Sequence, residues 1–553
     1  MRLARQIYHL ARADFLERVR RFSFLVVIGL ALFAGYMFVP PLSAPYTSFV
    51  VASHRGYYNS PWVGTLFGVT AAILLSLIGF YLVKNSICRD YDTRVGQIIA
   101  TTPLRKITYM AGKWLSNILV LSAILGVLTV IAPVMQLVRA EVTQVDLMAL
   151  WAPIWLMGFP ALVFAAALAV LFESVAILRG GLGNIIYFFI WGPILVGSSA
   201  RSYIASGEST HAFDFAGVAR IVFDIREKLS AAGVDIHKGI FGVIGPVDGN
   251  SINRFIWDGI QWTPDIILER FLWVGLGAMA VIVSAILFNR FDPAASRVLG
   301  RSGSTLERFS RKLKRKSDPN VTVAQRNGNG IDTVDTNRSV TNLTSVNRNG
   351  LRTSFISVVK AELLLMLKGR SWWWYICALG LIGATPFVPI DRVAQMLFAA
   401  ACLWPILVWS EMGVREIKYQ TYQTVFSTDK SVRRQFPAIW LAGVIVAIIM
   451  GAGFAFRMII TGNGQNLYAI AIGVLFVPSL ALALGVWTNG SRTFEIIYLL
   501  LWYMSIQSGA TMFDYRGATA EAISSGVPLY YAIITIVLII LATLGRQKQI
   551  RFQ

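Results

Sequence analysis

The chain has 553 residues, of which 56% are hydrophobic and only 14% are charged, and its mean hydropathy is +0.60. This composition excludes an ordinary soluble enzyme, because many apolar runs approach the ~20 residues that a helix needs to cross a bilayer. The net charge of +21 does not indicate nucleic-acid binding. Arginines and lysines instead gather in short loops beside the apolar runs, where they set the orientation of a membrane protein.

In chain order, two amphipathic segments and twelve apolar segments are predicted. Residues 3–20 and 355–370 are expected to form helices on the membrane surface. The spans predicted in the first part of the chain are 22–39, 62–83, 115–137, 150–172, 182–197 and 271–288. Those predicted in the second part are 372–388, 393–410, 438–456, 467–487, 494–508 and 528–545. The expected fold is an all-α polytopic membrane protein, with about twelve transmembrane helices in two pseudo-symmetric six-helix halves.

The two halves are predicted at 1–290 and 355–553. The first contains a polar insertion at 199–268, expected outside the cell. The region between them, 291–354, is basic and polar and is predicted to be a flexible linker. The basic loops fall on one side of the membrane if the number of spans between them is even. Both termini and residues 290–354 are therefore expected in the cytoplasm, and the protein in the inner (plasma) membrane of a prokaryote.

A repeated segment links the two halves. Gly183 to Tyr187 runs into Trp191, and the similar stretch Phe494 to Tyr498 runs into Trp502. Residues four apart share one face of a helix, so the tyrosine and tryptophan of each copy lie together. One hypothesis is that the two faces meet at a pseudo-two-fold axis and line a path for an amphipathic substrate. Ordinary helix packing is the alternative.

One charged loop follows the second span of each half, so the chain has two such loops. Each opens with an acid and an arginine, continues as a short amphipathic stretch, and ends in a Thr/Ser turn and a basic patch. An orientation signal alone needs only lysines and arginines. The candidate residues of the first loop are Arg89, Asp90, Asp92, Arg94, Thr101, Pro103 and Arg105. Those of the second are Glu411, Arg415, Glu416, Thr424, Ser427 and Arg433.

This layout resembles the membrane subunits of the ABC-2 class of ATP-binding-cassette exporters. In that family a charged segment after span 2 ends in a Thr-Pro turn and a Gly-Lys pair, here Thr102-Pro103 and Gly112-Lys113. The second loop departs from the pattern, because Asp429 stands where the first has Pro103. The resemblance implies that each loop carries a coupling helix that docks on an ATPase subunit, and that the chain is a transport permease without catalytic residues.

The motor is expected in a partner, because no G-x-x-x-x-G-K-[ST] phosphate loop occurs in the sequence. The resemblance implies two copies of a separate ATPase that hold ATP and Mg²⁺, whereas this chain binds no cofactor. No His/Cys/carboxylate cluster has metal-ligand spacing, so no metal site is expected. The cargo is expected to be amphipathic: a peptide, a lipid or a drug.

Two other classes of protein compete with this interpretation. The first is a twelve-helix secondary transporter driven by an ion gradient. The predicted spans carry their charged residues at the ends rather than in the middle, which disfavours it, because gradient-driven carriers use ionisable groups inside the membrane. The second is a lipid-modifying or scaffold protein, which would need an intramembrane catalytic cluster that the sequence does not show.

Overall fold

In the computed structural model, the described residues are 2–20, 22–41, 46–51, 54–192, 214–233, 242–246, 253–289, 291, 355–368, 370, 372–387, 392–427, 431–460, 464–507, 511–517 and 519–552. The predicted linker lies almost wholly outside the described residues. The same is true of 193–197, the end of the predicted fifth span, and of much of the 199–268 insertion.

We call residues 2–291 the first part of the chain. Its described residues form twelve α-helices and four short strands. In chain order they are α1 (Arg2–Val19), α2 (Phe22–Phe38), β1 (Tyr46–Val50), β2 (His54–Gly56), α3 (Ser60–Thr70), α4 (Ser76–Val83), α5 (Ser86–Asp92), α6 (Val95–Thr101), α7 (Lys106–Arg139), α8 (Leu147–Pro153), α9 (Phe159–Ser174), α10 (Gly181–Ile190), α11 (Val218–Ala231), β3 (Gly242–Pro246), β4 (Asn253–Phe255) and α12 (Pro264–Leu287). Short π-helical segments, Ala71–Leu75 and Ile154–Gly158, join α3 to α4 and α8 to α9.

We call residues 355–552 the second part of the chain, and it is helical over its described residues. Its α-helices are α13 (Phe355–Leu367), α14 (Trp372–Ala384), α15 (Arg392–Leu403), α16 (Ile406–Trp409), α17 (Arg415–Lys418), α18 (Tyr422–Phe426), α19 (Ser431–Ile460), α20 (Gly464–Thr488), α21 (Ser491–Gln507), α22 (Ala520–Ser524) and α23 (Val527–Phe552). Two 3₁₀ turns, Thr385–Phe387 and Thr511–Phe513, interrupt the loops.

Within the described residues, each predicted span coincides largely with helix. Among the described residues, seven helical stretches are long and apolar enough to cross a membrane. Four further apolar helices are shorter, at 10–17 residues. A mostly helical chain with long apolar helices indicates a membrane-embedded protein. The number of twelve crossings stays a prediction.

Two small sheets add strands that the sequence analysis did not predict. β1 pairs antiparallel with β3, and β2 pairs parallel with β4, so the loop after the first span is joined to the polar insertion. Phe49 on β1 is buried and meets Trp62 edge-to-face, with ring centroids 5.3 Å apart. The partner strands lie far apart in sequence, and short strands of this kind leave no periodicity that one segment alone reveals.

The surface helices, both charged loops and the C-terminal tail meet at one end of the helical bundle, which we call the charged end. This agrees with the prediction that the loops and the tail share one side. The contacts that join them are Arg492–Lys84, Gln549–Asn489 and Arg546–Glu416.

Asp14 on α1 is the centre of a buried ion cluster at the charged end. Its carboxylate accepts hydrogen bonds from Lys113 Nζ at 3.0 Å and from Ser116 Oγ at 2.6 Å, both on α7. Arg18 pairs with it at 2.7 Å, and Arg89 on α5 also donates to it. Burial would raise the pKa of Asp14, but the surrounding cations and Ser116 outweigh burial and hold that pKa well below its usual range. The cluster therefore fastens α1 and α5 to α7.

A second buried ion cluster occupies the charged end of the second part. Arg415 on α17 pairs with Glu362 on α13 at 3.2 Å, and Arg546 on α23 pairs with Glu416 at 3.1 Å. Gln435 on α19 donates to both carboxylates, at 3.2 and 3.3 Å. This cluster fastens the surface helix α13 and the loop helix α17 to α19 and α23.

We expect Asp14→Asn to lower the free energy of unfolding by about 3–5 kcal/mol, because it removes the carboxylate that pairs with Arg18 and one of the two that pair with buried Lys113. The stabilisation is fully present at neutral pH and is lost only as the pH falls below the ordinary pKa of an aspartate, because the folded-state pKa is depressed. Glu17→Gln is the control, since the Glu17 side chain is 50% exposed. Thermal denaturation midpoints in one detergent at pH 7 check this; equal midpoints for the two variants contradict it.

Candidate functional site

The repeated segments of the sequence contact each other at the charged end. Asn184 on α10 and Glu495 on α21 occupy the same position in the two copies, 311 residues apart. Asn184 Nδ2 donates a hydrogen bond to the Glu495 carboxylate, and both side chains are buried. This bond joins the two parts of the chain through the segments that resemble each other most.

Lys84, which follows α4, supplies positive charge to this contact. Its Nζ donates to Asn184 Oδ1 at 2.6 Å and to the carbonyls of Leu178 and Gly180 at 3.0 and 3.2 Å. Lys84 is only 2% exposed. The amide of Asn184 therefore bridges the buried ammonium of Lys84 and the buried carboxylate of Glu495.

Residues of the second part complete the cluster. Ser410 is buried near the Glu495 carboxylate, and its hydroxyl donates to the Leu407 carbonyl at 3.3 Å. Arg492 donates from Nη1 to the Lys84 carbonyl at 3.0 Å. A Cβ atom on Gly181 would lie 3.1 Å from Glu495 Oε1, so glycine lets α10 approach the second part closely. We call the following residues the seam cluster: Lys84, Asn184, Ser410, Arg492 and Glu495.

The sequence analysis located the charge of Lys84 at a span end but did not identify the seam cluster. A charged residue at the end of a span ordinarily faces water. Here the ends of α4 and α21 meet inside the protein, so Lys84 and Glu495 are both buried. One signal was present in the sequence: Asn184 and Glu495 are polar residues at the same position of two otherwise apolar copies.

Tyr187 and Trp191, two residues of the path hypothesis, fasten α10 to the predicted second span. Tyr187 Oη donates to the Ser76 carbonyl and Trp191 Nε1 to the Ile73 carbonyl, both at 3.0 Å. The ring of Tyr187 stacks on Phe80, with centroids 3.5 Å apart and planes 5° apart. Both side chains are fully buried.

Tyr498 and Trp502 make matching bonds in the second part. Tyr498 Oη donates to the Cys402 carbonyl at 2.8 Å, and Trp502 Nε1 donates to the Ala399 carbonyl at 2.7 Å. Tyr498 is fully buried, and Trp502 is half-buried. These bonds are helix packing of the kind that the alternative interpretation expects. A role in a substrate path stays a prediction.

The two aromatic faces do contact each other. Phe188 meets Trp502 with ring centroids 5.9 Å apart, and Trp191 meets Tyr503 at 5.6 Å. Both contacts are edge-to-face, the geometry that aromatic rings favour. Aromatic rings therefore continue the contact between α10 and α21 beyond the seam cluster.

Both charged loops have the same local structure. Each consists of two short helices joined at a residue in the left-handed region: Arg94 (φ 61°) between α5 and α6, and Gln420 (φ 56°) between α17 and α18. In this arrangement Arg89 on α5 corresponds to Arg415 on α17. The two arginines also make corresponding bonds, each to a carboxylate on the surface helix of its own part.

The acidic and arginine residues that open these loops are used inside the protein. Besides the pairs of Arg89 and Arg415, Asp90 accepts from Tyr109 Oη at 2.6 Å and pairs with Lys113 at 2.8 Å. An ATPase that bound Arg89, Asp90, Arg415 or Glu416 would have to break these ion pairs. In this structure the four side chains hold the loops in place, and their part in coupling to an ATPase stays a prediction.

The remaining candidate coupling residues differ in exposure. Glu411 is half-buried and pairs with Lys418 at 2.9 Å. Asp92 and Thr424 lie in α5 and α18, and their side chains are outside the described part of the structure. The exposed candidates are Arg94, Thr101, Pro103, Arg105, Ser427 and Arg433.

Glu173, at the end of α9, positions the first loop. Its buried carboxylate accepts hydrogen bonds from four consecutive backbone N–H groups, from Asn85 to Cys88, at the start of α5. A carboxylate is favourable there because a helix N-terminus presents unpaired donors and a positive dipole end. The sequence shows Glu173 only as one more acid at a span end.

No protein-family model, curated protein or solved structure matches the chain.

We expect Lys84→Met to destabilise the protein by about 3–5 kcal/mol, because it removes one of the two cations near buried Glu495 and leaves the Asn184 amide oxygen without its donor. Lys106→Met is the matched control, since Lys106 is exposed at the same end of the bundle. Denaturation midpoints in detergent measure the difference. If Lys84→Met is as stable as the control, Lys84 does not compensate Glu495.

Proposed function

We propose that the chain is the membrane-spanning permease subunit of an ATP-driven exporter of the ABC-2 type. It forms a translocation path between two six-span halves and couples to two copies of a separate ATPase. The charged end, with both termini and residues 290–354, faces the cytoplasm of a prokaryotic cell. The substrate is amphipathic: a peptide, a lipid or a drug.

The bond between Asn184 and Glu495 carries this proposal. In a two-fold arrangement, equivalent positions contact each other only at the axis, and these two residues are equivalent in the repeat and bonded. Both charged loops lie at one end of the bundle, so the axis of such a repeat runs along the membrane normal, as in transporters with parallel repeats. The path then opens where α10 and α21 separate, and the seam cluster closes its cytoplasmic end.

The contact with the motor is assigned to α6. Ion pairs, Glu173 and packing hold this loop, and Gly96 of α6 lies against Phe291. The opposite side of the helix presents Val95 and Ile98, which are 43% and 68% exposed. Apolar side chains on a short, firmly held helix suit a cleft on a partner, because little conformational entropy is lost on binding. Arg94 and Thr101 flank them.

We expect Ile98→Asp to reduce ATPase binding by about tenfold or more, because it places a charge at the centre of the contact. The experiment first seeks a reading frame with a phosphate loop beside the gene for this chain. It then co-expresses the two proteins and measures co-purification and ATP hydrolysis in liposomes.

Ile256→Asp is the control for this experiment, because Ile256 is 70% exposed but follows β4, away from the charged end. Equal ATPase binding by both variants contradicts the assignment of α6. An unmodified chain that stimulates no such ATPase contradicts the proposed function itself.

A secondary transporter remains the second candidate, and one observation favours it. Glu495 is a buried carboxylate at the contact between the two parts, which is where a proton-coupled carrier needs a titratable group. The two candidates differ in what Glu495 does. In the exporter it closes the seam, whereas in the carrier it binds and releases the proton.

The double variant Lys84→Gln with Glu495→Gln separates the two candidates. It removes both charges together, so no unpaired charge is left buried, and the glutamine at 495 still accepts a hydrogen bond from Asn184. We expect the partner ATPase to hydrolyse ATP with this variant at a rate within about threefold of its rate with the unmodified chain. That range corresponds to less than 1 kcal/mol. Proton uptake into vesicles, followed with a pH-sensitive dye, tests the alternative. Uptake by the unmodified chain that the variant abolishes would establish the carrier.

A further inference from the structure

A cavity of about 180 Å³ opens at the charged end between α1, α2, the segment that links α4 to α5, and the start of α21. A single buried water needs roughly 10–15 Å³ of such space, so the cavity is large enough for a polar group of several atoms. It lies where the membrane spans end and the charged loops begin. It is separate from the exposed face of α6 and borders the seam cluster at Lys84 and Arg492.

Four cationic side chains line this cavity: Arg18, Lys84, Arg89 and Arg492. None of its lining residues is acidic. The acids that balance these cations are not part of the lining. Glu17, which is half exposed, pairs with Arg89 at 3.1 Å, and the two buried acids are shared among several groups. Asp14 pairs with Arg18, Arg89 and Lys113, and Glu173 is occupied by the backbone N–H groups of α5. The face that the cavity presents is therefore positive.

Arg492 is the cation with donors to spare. A guanidinium carries five N–H donors, and among the described residues the structure shows one hydrogen bond from Arg492, to the Lys84 carbonyl. Its fork of N–H groups suits two oxygens of one phosphate, which it can bind as a bidentate pair.

Asn85 and Ser86 are the polar uncharged residues of the lining, and its apolar part comes from three predicted spans. Phe24 on α2, Leu82 on α4 and Val120 on α7 border the same cavity as the cations. A soluble anion needs only the polar lining, whereas a phospholipid also needs an apolar surface for the first part of its acyl chains. The cavity offers both surfaces side by side at the height of the membrane boundary.

We propose that this cavity is a binding site for the phosphate headgroup of an anionic phospholipid. Arg492 and Arg18 bind the phosphate, and the acyl chains lie along Phe24 and Leu82. The lipid bridges α1 and α2 of the first part to α21 of the second. Its binding therefore stabilises the closed contact between the two parts, and this holds whether or not the chain is an exporter.

The test uses the full-length chain in neutral detergent. Thermal midpoints and native mass spectra are recorded with phosphatidylglycerol, with phosphatidylcholine and with inorganic phosphate at equal ionic strength. We expect phosphatidylglycerol to bind and raise the midpoint, and the other two to have little effect. Equal stabilisation by phosphatidylcholine overturns the charge requirement. Equal stabilisation by inorganic phosphate overturns the lipid and identifies a site for a soluble anion.

Arg492→Gln is expected to weaken phosphatidylglycerol binding by roughly five- to tenfold, since one charge-assisted contact to phosphate is removed. Arg433→Gln is the control, because Arg433 is an exposed arginine at the same end but outside the cavity. Equal weakening by the two variants indicates attraction by the surface as a whole and overturns the site. Phe24→Asp is an independent test that leaves the cations in place. We expect it to weaken lipid binding, because the introduced carboxylate repels the phosphate. Unchanged lipid binding by Phe24→Asp also overturns the proposal.

Discussion

The contact of Lys84, Asn184 and Glu495 is the constraint on which the arrangement of the two parts depends. A carboxylate buried as deeply as Glu495 is unfavourable unless an opposite charge and hydrogen bonds compensate it. The first part of the chain supplies the hydrogen bond through the Asn184 amide and one cation, Lys84. Arg492 of the second part is the other nearby cation. Glu495 therefore depends on both parts of the chain. The aromatic contacts between α10 and α21 follow from the same approach, which Gly181 permits.

The ion clusters around Asp14 and Glu416 perform a different task. They connect each surface helix and each loop to long membrane helices through buried charges, whose positions are specified far more narrowly than those of apolar side chains. The acids and arginines that open the loops face inward, whereas Ile98 is exposed. In the proposed exporter, this arrangement transmits a displacement of α6 to α1 and α7, as a coupling element requires.

The positions of the helices were predictable from the sequence because the length of an apolar run is a one-dimensional property. The two charged loops were recognisable for the same reason, since their pattern is local. Burial of Asp90 and Glu416, and the pairing of β1 with β3, depend on residues far away in the chain. Only the assembled fold shows that Arg89 reaches Asp14, or that Lys84 and Glu495 meet. The sequence therefore indicated the two loops but not the internal ion pairs that four of their residues make.

The differences between the two parts are as informative as their likeness. If two identical halves met at an axis, Glu495 would face a second glutamate, and two buried carboxylates at hydrogen-bonding distance cannot both stay ionised. Two similar segments within one chain are free of this restriction, because the two equivalent positions can carry different residues. Asn184 stands opposite Glu495, and Ser410 follows α16 as Lys84 follows α4. The single chain thus places unlike polar groups where a symmetric dimer could place only like ones.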